Sequence, residues 1–425
     1  MVSKIKRRVA IEHYYFKQLS REGRSLLHSL ALFSLAEPLL VMFINTFLWR
    51  ASSDLMLIAW YNLAIFVGLP TGFYANGRLL RKFSPTKLFR YSIMMRAMVA
   101  MVILFIAATS YDRIIFLGFL SGFGSGIFWA NKNLFTLIFT KPRNRIYFSS
   151  IEAALLSIGG ILMPLVAGWL IVMGEKYGWY SVGNAYRGIG LAAFIILIAA
   201  GYMMRKVTVS IPQIQRIILR RTSRNWNHSR LLVYTRGLQS GILTFLPTLM
   251  VVMFVGNEGA LGSLQSVAAL LSSVAIYCVA RKANITHRLA ITAIGVVCCA
   301  AAGLIFGIMY SAVGVLVFFA LSALGNPFSA IGINPLLQDV IEHEEERHKS
   351  HHFSYIFDHE LFLNLGRASS VIGFIVFAES AQAITVRMSP LVIAGVQVAI
   401  ILFAKKMTDH LTFRQIAADG NEKEY

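Results

Sequence analysis

Apolar stretches of roughly twenty residues recur about a dozen times along the chain, and the short basic segments between them fall on alternate sides. Each stretch is long enough to cross about 30 Å of hydrocarbon as a helix, which satisfies its own backbone where no water can. The pattern predicts spans at 26–48, 53–75, 88–109, 112–138, 149–173 and 185–204. A second series follows at 231–255, 258–280, 289–309, 312–336, 352–378 and 384–404. The longest polar interruption divides the array into an N-terminal half, 1–204, a basic linker, 205–230, and a C-terminal half with its tail, 231–425. In the linker, Arg216, Arg220, Arg221 and Arg224 mix with Ile214, Ile217, Ile218 and Leu219, the composition of a short amphipathic surface helix. The expected fold class is all-α: a polytopic membrane protein of about twelve helices in two six-helix halves.

Composition strengthens this reading. A mean hydropathy of +0.63 with 14% charged residues excludes an ordinary soluble enzyme. The net charge of +20 is mainly a topological signal. Of 40 Lys and Arg residues, 31 fall on one side of the spans, five on the other (Arg50, Arg113, Lys176, Arg187, Arg387) and four within them. By the positive-inside bias, both termini are expected in the cytoplasm. The basic residues are dispersed over many loops, which argues against a nucleic-acid partner and for anionic lipid headgroups. The N-terminus lacks a signal-peptide layout, so the first span is expected to be retained. Cys278, Cys298 and Cys299 lie inside spans, and no disulfide is implied. The sequons at Asn227 and Asn284 fall on the inside and should stay unmodified.

Several motifs add detail. Gly72-Phe73-Tyr74-Ala75-Asn76-Gly77-Arg78-Leu79-Leu80-Arg81-Lys82 follows span two. Span five carries Ser157-Ile158-Gly159-Gly160-Ile161-Leu162-Met163-Pro164 and then Gly168. Span eleven reads Tyr355-Ile356-Phe357-Asp358-His359-Glu360, with Asn364 and Arg367 beyond. With the six-plus-six layout, these resemble the major facilitator superfamily over essentially the whole chain. Glu152, the Arg21-Glu22-Gly23-Arg24 run and the span-eleven motif look like its poorly characterised YqgE-like branch. The resemblance implies pseudo-symmetric halves rocking around a central site. It also implies a gating role for Gly72, Asn76, Arg78 and Arg81, although Asn76 stands where the family usually has Asp and Leu79 where Gly is usual. The Gly/Pro run of span five resembles, incompletely, an antiporter motif and mildly favours export. Span four lacks the Arg usual in drug exporters.

Ionisable groups inside spans are functional candidates because each costs at least a few kcal/mol at mid-bilayer. Glu37, Glu152, Asp358 and Glu360 qualify, as do Arg96, Lys132, Arg236 and Arg367. Glu37, roughly 16 Å into the bilayer and followed by Pro38, is the candidate proton-coupling carboxyl, since desolvation penalises its charged form there. The resemblance puts spans one and four on the cavity, which makes Lys132 the expected partner of Glu37 or of an anionic group. Trp129 and Asn133 would present an aromatic face and an amide beside it. Glu360, Asn364 and Arg367 share one helix face, and Asn364 could bridge the other two. With Asp358 and Glu152 they are expected to form a gating or structural network away from the cavity. Arg96 and Arg236 lie near inside ends and are expected to reach the interface, with substrate contact an alternative for Arg236 and Gln239. Gly325-Asn326-Pro327 and Asn334-Pro335 should break span ten as a hinge or expose backbone to a ligand, which keeps Asn326 a cavity candidate.

The run Glu342–His352 reads as a solvated, pH-responsive loop rather than a metal site. No Gly-rich phosphate loop and no nucleophile–base pair stand out, so neither an enzyme nor an ATP-driven pump is expected, and no cofactor. The expectation is a monomeric, proton-coupled secondary transporter of a small organic solute in a bacterial cytoplasmic membrane, its partners being substrate, protons and lipid. Export is slightly favoured over import of a nutrient or metal chelate. A non-transporting sensor or assembly partner is the alternative of another class, and lipid flipping a weaker one.

Overall fold

A computed structural model describes residues 14–105, 110–210, 217–219, 222–280, 287–348 and 352–422. The N-terminal half comprises α1 (Arg21–Ser52), α2 (Leu55–Leu79), α3 (Pro85–Phe105), α4 (Tyr111–Phe139), α5 (Pro142–Lys176) and α6 (Val182–Met203). The C-terminal half comprises α7 (Arg224–Leu243), α8 (Leu246–Phe254), α9 (Glu258–Ala280), α10 (Arg288–Met309), α11 (Ala312–His348) and α12 (His352–Glu422).

Helix ends follow local chemistry. The Ser20 hydroxyl accepts from Gly23 N at 3.0 Å to start α1, and Asp54 accepts from Met56 N and Leu57 N to start α2. Between them Ser53 takes the left-handed conformation, φ 51°, that reverses the chain in a two-residue turn. Ser181 and Ser223 cap α6 and α7 in the same way.

Eleven described stretches are long and apolar enough to cross a membrane. One of them, Arg224–Phe254, joins α7 and α8 across a break at Thr244 and Phe245, just ahead of Pro247. The last, Phe353–Met407, crosses twice, because Ala381 leaves helical geometry (φ −153°, ψ 66°). Near its start, Asp358 accepts from Trp226 Nε1 at 2.7 Å. Near its end, Met407 Sδ lies 3.9 Å from the Ser229 hydroxyl, so both ends return to the same end of α7. At the opposite face the Tyr310 hydroxyl reaches the Ala383 carbonyl. The described chain therefore crosses twelve times. Ile308 (72% exposed), Phe377 (68%) and Val392 (65%) belong to an outer surface suited to hydrocarbon rather than water.

Within each half the backbones approach closely at glycines. A Cβ on Gly72 would collide with the Phe123 carbonyl, and one on Gly122 with the Ile65 carbonyl, so α2 and α4 need both positions bare. Between the halves, α2 packs on α12 and α5 on α9. At α5, Gly159 meets the Ser34 backbone and Gly168 the Glu258 backbone, so these glycines of the span-five run have a packing role.

Two expectations change. The span-ten Gly/Pro motifs do not break the helix: α11 runs unbroken from Ala312 to His348 with Pro327 and Pro335 inside it. A proline removes one helical hydrogen bond, and neighbouring helices hold the rest of the turn. The seventh crossing begins at Arg224, inside the segment read as linker, because Ser223 caps it there and Trp226 is buried at once. Part of the linker's amphipathic run (214–216, 220 and 221) and most side chains of the Glu342–His352 run lie outside the described residues.

Candidate functional site

Among the described residues, a larger and a smaller internal cavity share Val41 and Thr244. The larger, about 410 Å³, opens between α1 and α5 of one half and α7, α8, α9 and α11 of the other. Pro38, Pro164, Thr248, Gln265, Ser272 and Asn326 are among its lining residues. The second, about 280 Å³, is walled by α1 to α4 and closed by Thr244 and Arg367 from the other half. It holds the charge: Glu37, Arg96 and Arg367, with Asn45, Asn62 and Trp129.

The centre of this cavity is an ion pair. Arg96 Nη2 donates to Glu37 Oε2 at 2.5 Å. The guanidinium lies 5.1 Å from the Phe33 ring centre and 5.6 Å from that of Phe128, and only 7% of the side chain is exposed against 22% for Glu37. Nε and Nη1 of Arg96 are buried with no acceptor among the described residues. This corrects the expectation that Arg96 reaches the interface. A buried carboxylate within reach outweighs snorkelling, because the pair neutralises two charges that would otherwise be desolvated separately.

Lys132 is likewise not the partner of Glu37. Its Nζ pairs with Glu152 at 2.5 Å and lies 5.7 Å from the Trp129 ring centre. Depth explains the exchange. Lys132 is about 10 Å from the basic end of α4 and Glu152 about 15 Å from that of α5, against about 24 Å for Glu37 in α1. Trp129 does line the charged cavity, whereas Asn133 and Lys132 line neither cavity.

On α12, Asn364 links its neighbours: its Nδ2 donates to Glu360 Oε2 at 3.5 Å, and its Oδ1 accepts from Arg367 Nη1 at 3.3 Å. Arg367 Nε also donates to the Ser240 hydroxyl at 3.1 Å, and the guanidinium lies 5.6 Å from the Phe66 ring of the other half. Arg367 thus faces the cavity from which the sequence reading excluded it. Asp358 stays away from the cavity, accepting from Arg230 Nε and Nη2 at 2.7 and 2.6 Å and tying α12 to α7. Arg236 Nη1 donates to Asn334 Oδ1 at 2.8 Å, and Gln239 Nε2 to Asn326 Oδ1 at 3.3 Å, so both tie α7 to α11. Arg236 binds within its own half instead of reaching the interface.

At the basic end of α2, Asn76 is fully buried and accepts from Asn131 Nδ2 at 2.6 Å, joining α2 to α4. Arg78 lies over Tyr74 at 5.0 Å, and Tyr74 meets Phe357 of the other half at 5.9 Å. Phe73 also meets Phe353 and Phe357, so rings join the halves at this face. Arg81 is exposed. At the opposite face the junction is ionic. Glu258, 1% exposed, accepts from Arg50 Nε at 2.8 Å, Arg50 Nη2 at 3.1 Å and the Tyr186 hydroxyl at 3.0 Å.

Sequence reasoning missed Glu258, which stood at a span end. It also missed Asn45 and Asn62, buried in apolar helices and joined Nδ2 to Oδ1 at 2.8 Å. A search for amides inside spans would have found the latter pair.

A family model described as Major Facilitator Superfamily matches residues 17–356. The chain is 27% identical over 346 residues to an uncharacterized protein, YqgE, of Bacillus subtilis (strain 168), covering 81% of this chain and 80% of that protein. It is 28% identical over 155 residues to an uncharacterized protein in the sodM 3′ region of Geobacillus stearothermophilus, covering 36% of this chain and 72% of the relative. Among solved structures, an alanine variant of the nucleoside transporter NupG matches with a TM-score of 0.63 at 13% identity, covering 91% of this chain and 100% of that one. That likeness is one of fold.

Proposed function

We propose a proton-coupled alternating-access cycle for this chain, which belongs to the Major Facilitator Superfamily and is a secondary transporter. The observation that carries the proposal is the Glu37–Arg96 pair in the wall of an internal cavity closed by residues of both halves. Protonating Glu37 would remove the charge that holds Arg96 and free a buried guanidinium to take another acceptor. The Glu37 carboxylate and the cargo then compete for one cation, so that protonation of Glu37 favours cargo binding, and such linkage is the elementary requirement of coupling. The halves would part alternately at the ring contacts of Phe73, Phe353 and Phe357 and at the Arg50–Glu258–Tyr186 junction.

The cargo we propose is a small organic solute. We place the basic face in the cytoplasm of a bacterial cell, an orientation that the charge bias of the loops supports. The Gly/Pro run of α5 favours export, whereas a proton bound together with the cargo favours uptake along an inward proton gradient, and the direction of flux separates the two.

The test is a solute library added to vesicles that contain the protein and a trapped pH dye. At least one solute should move luminal pH in wild-type vesicles and leave it unmoved with Glu37→Gln. Solute-driven pH change that persists in the variant would remove Glu37 from the mechanism.

A further inference from the structure

We propose that the cargo is a small organic monoanion whose carboxylate is held between Arg96 and Arg367. This deepens the transport reading above and rests on it.

Two independent observations point the same way. The first is unmet hydrogen-bonding capacity. Arg96 is 93% buried by its 7% exposure, yet Nε and Nη1 have no acceptor among the described residues, and Glu37 engages Nη2. A guanidinium offers five N–H donors in a planar fork that matches a carboxylate, and buried donors are ordinarily satisfied. Phe33 and Phe128 lie close to the group and present no lone pairs to it. As the pair stands neither nitrogen has accessible surface, so an acceptor reaches them from the cavity only as Arg96 turns from Glu37.

The second is the balance of charge. Glu37, Glu152, Asp358 and Glu258 each have a cation at bonding distance, and Glu360 reaches Arg367 through Asn364. Arg236 is different: its described hydrogen bond is to the neutral Asn334 amide. Of the charges that line the small cavity, two are guanidinium groups and one is a carboxylate. The lining of this cavity therefore carries one positive charge more than its own carboxylate cancels, and a monoanion completes it. A cation would add to the excess, and an uncharged solute would leave it standing.

Size and lining narrow the class. At about 280 Å³ the charged cavity is at the lower end of ligand pockets, which span roughly 300–1,000 Å³. Tyr61, Phe66 and Trp129 give it ring surfaces, and Asn45 and Asn62 give it amides. A single-ring aromatic acid fits this chemistry.

The test is binding to the purified full-length chain in detergent at fixed pH with no gradient. Thermal shift and titration would compare benzoate, phenylacetate and nicotinate with their amides, with benzylamine and with phenyl phosphate. At least one carboxylate should bind about 30-fold or more tighter than its amide, because the amide leaves a buried cation unmet. Arg367→Gln should weaken that carboxylate by a similar factor and leave the amide unchanged. Equal binding of acid and amide, tighter binding of the amine or the phosphate, or no carboxylate binding at millimolar concentration would each overturn the proposal. If Arg367→Gln does not elute as folded protein, Arg367→Lys, which keeps the charge and loses the fork, takes its place. Anion binding without pH coupling in vesicles would sink the proton cycle alone, and pH coupling driven by amines would sink the anion assignment alone.

Discussion

Glu258→Gln should loosen the junction between the halves at the face opposite the basic loops. Glu258 is 1% exposed and accepts three hydrogen bonds, two from Arg50 and one from Tyr186, both in the other half. Hydrogen bonds to a buried charge contribute about 1.5–3 kcal/mol each. Arg50 is 42% exposed, so water recovers much of its share when the carboxylate is lost. The glutamine also keeps one acceptor oxygen. The net loss is then about 2 kcal/mol, or about a 30-fold shift towards states parted at this face. Thr248→Cys, placed in the larger cavity in a background without Cys278, Cys298 and Cys299, reports that shift through its labelling rate with a membrane-impermeant maleimide. Labelling from this face should rise about 30-fold in Glu258→Gln, and Arg50→Gln should add little on top of it. An unchanged rate, or full additivity of the two variants, would refute the junction.

Two further predictions concern stability. Lys132→Met should cost about 3–5 kcal/mol by stranding Glu152, which is 12% exposed, and adding Glu152→Gln should recover most of it; melting of the four proteins of this cycle decides. Gly122→Ala should cost about 1–3 kcal/mol because its Cβ meets the Ile65 backbone, whereas Gly160→Ala should stay within about 0.5 kcal/mol, its nearest neighbour being the Ala269 Cβ at 3.9 Å. Equal melting temperatures for the two alanine variants would contradict the close approach of α2 and α4.

The spans were legible because membrane thickness fixes helix length, and the twofold crossing of 352–404 was legible because apolar character lapses near Ala381. Partners were not legible, because they depend on the rotation and offset of each helix. The sequence gives the distance of Arg96 from a helix end, whereas its direction, in towards Phe33 and Phe128, decides its role. Lys132 and Glu37 looked like partners by helix analogy alone, and a difference in depth sent Lys132 to Glu152. Arg367 was placed off the cavity by the general layout of the fold, yet its long side chain reaches the Phe66 ring. Asn45 and Asn62 were overlooked because a neutral amide stands out less in an apolar run than a charge does.

The most direct test of proton coupling through Glu37 compares two fluxes of the same cargo in Glu37→Gln vesicles. Exchange of labelled for unlabelled cargo needs no net proton movement, whereas accumulation driven by a pH gradient does. The account predicts that exchange persists in the variant while gradient-driven accumulation falls to the level of empty vesicles. Accumulation at the wild-type rate would contradict it.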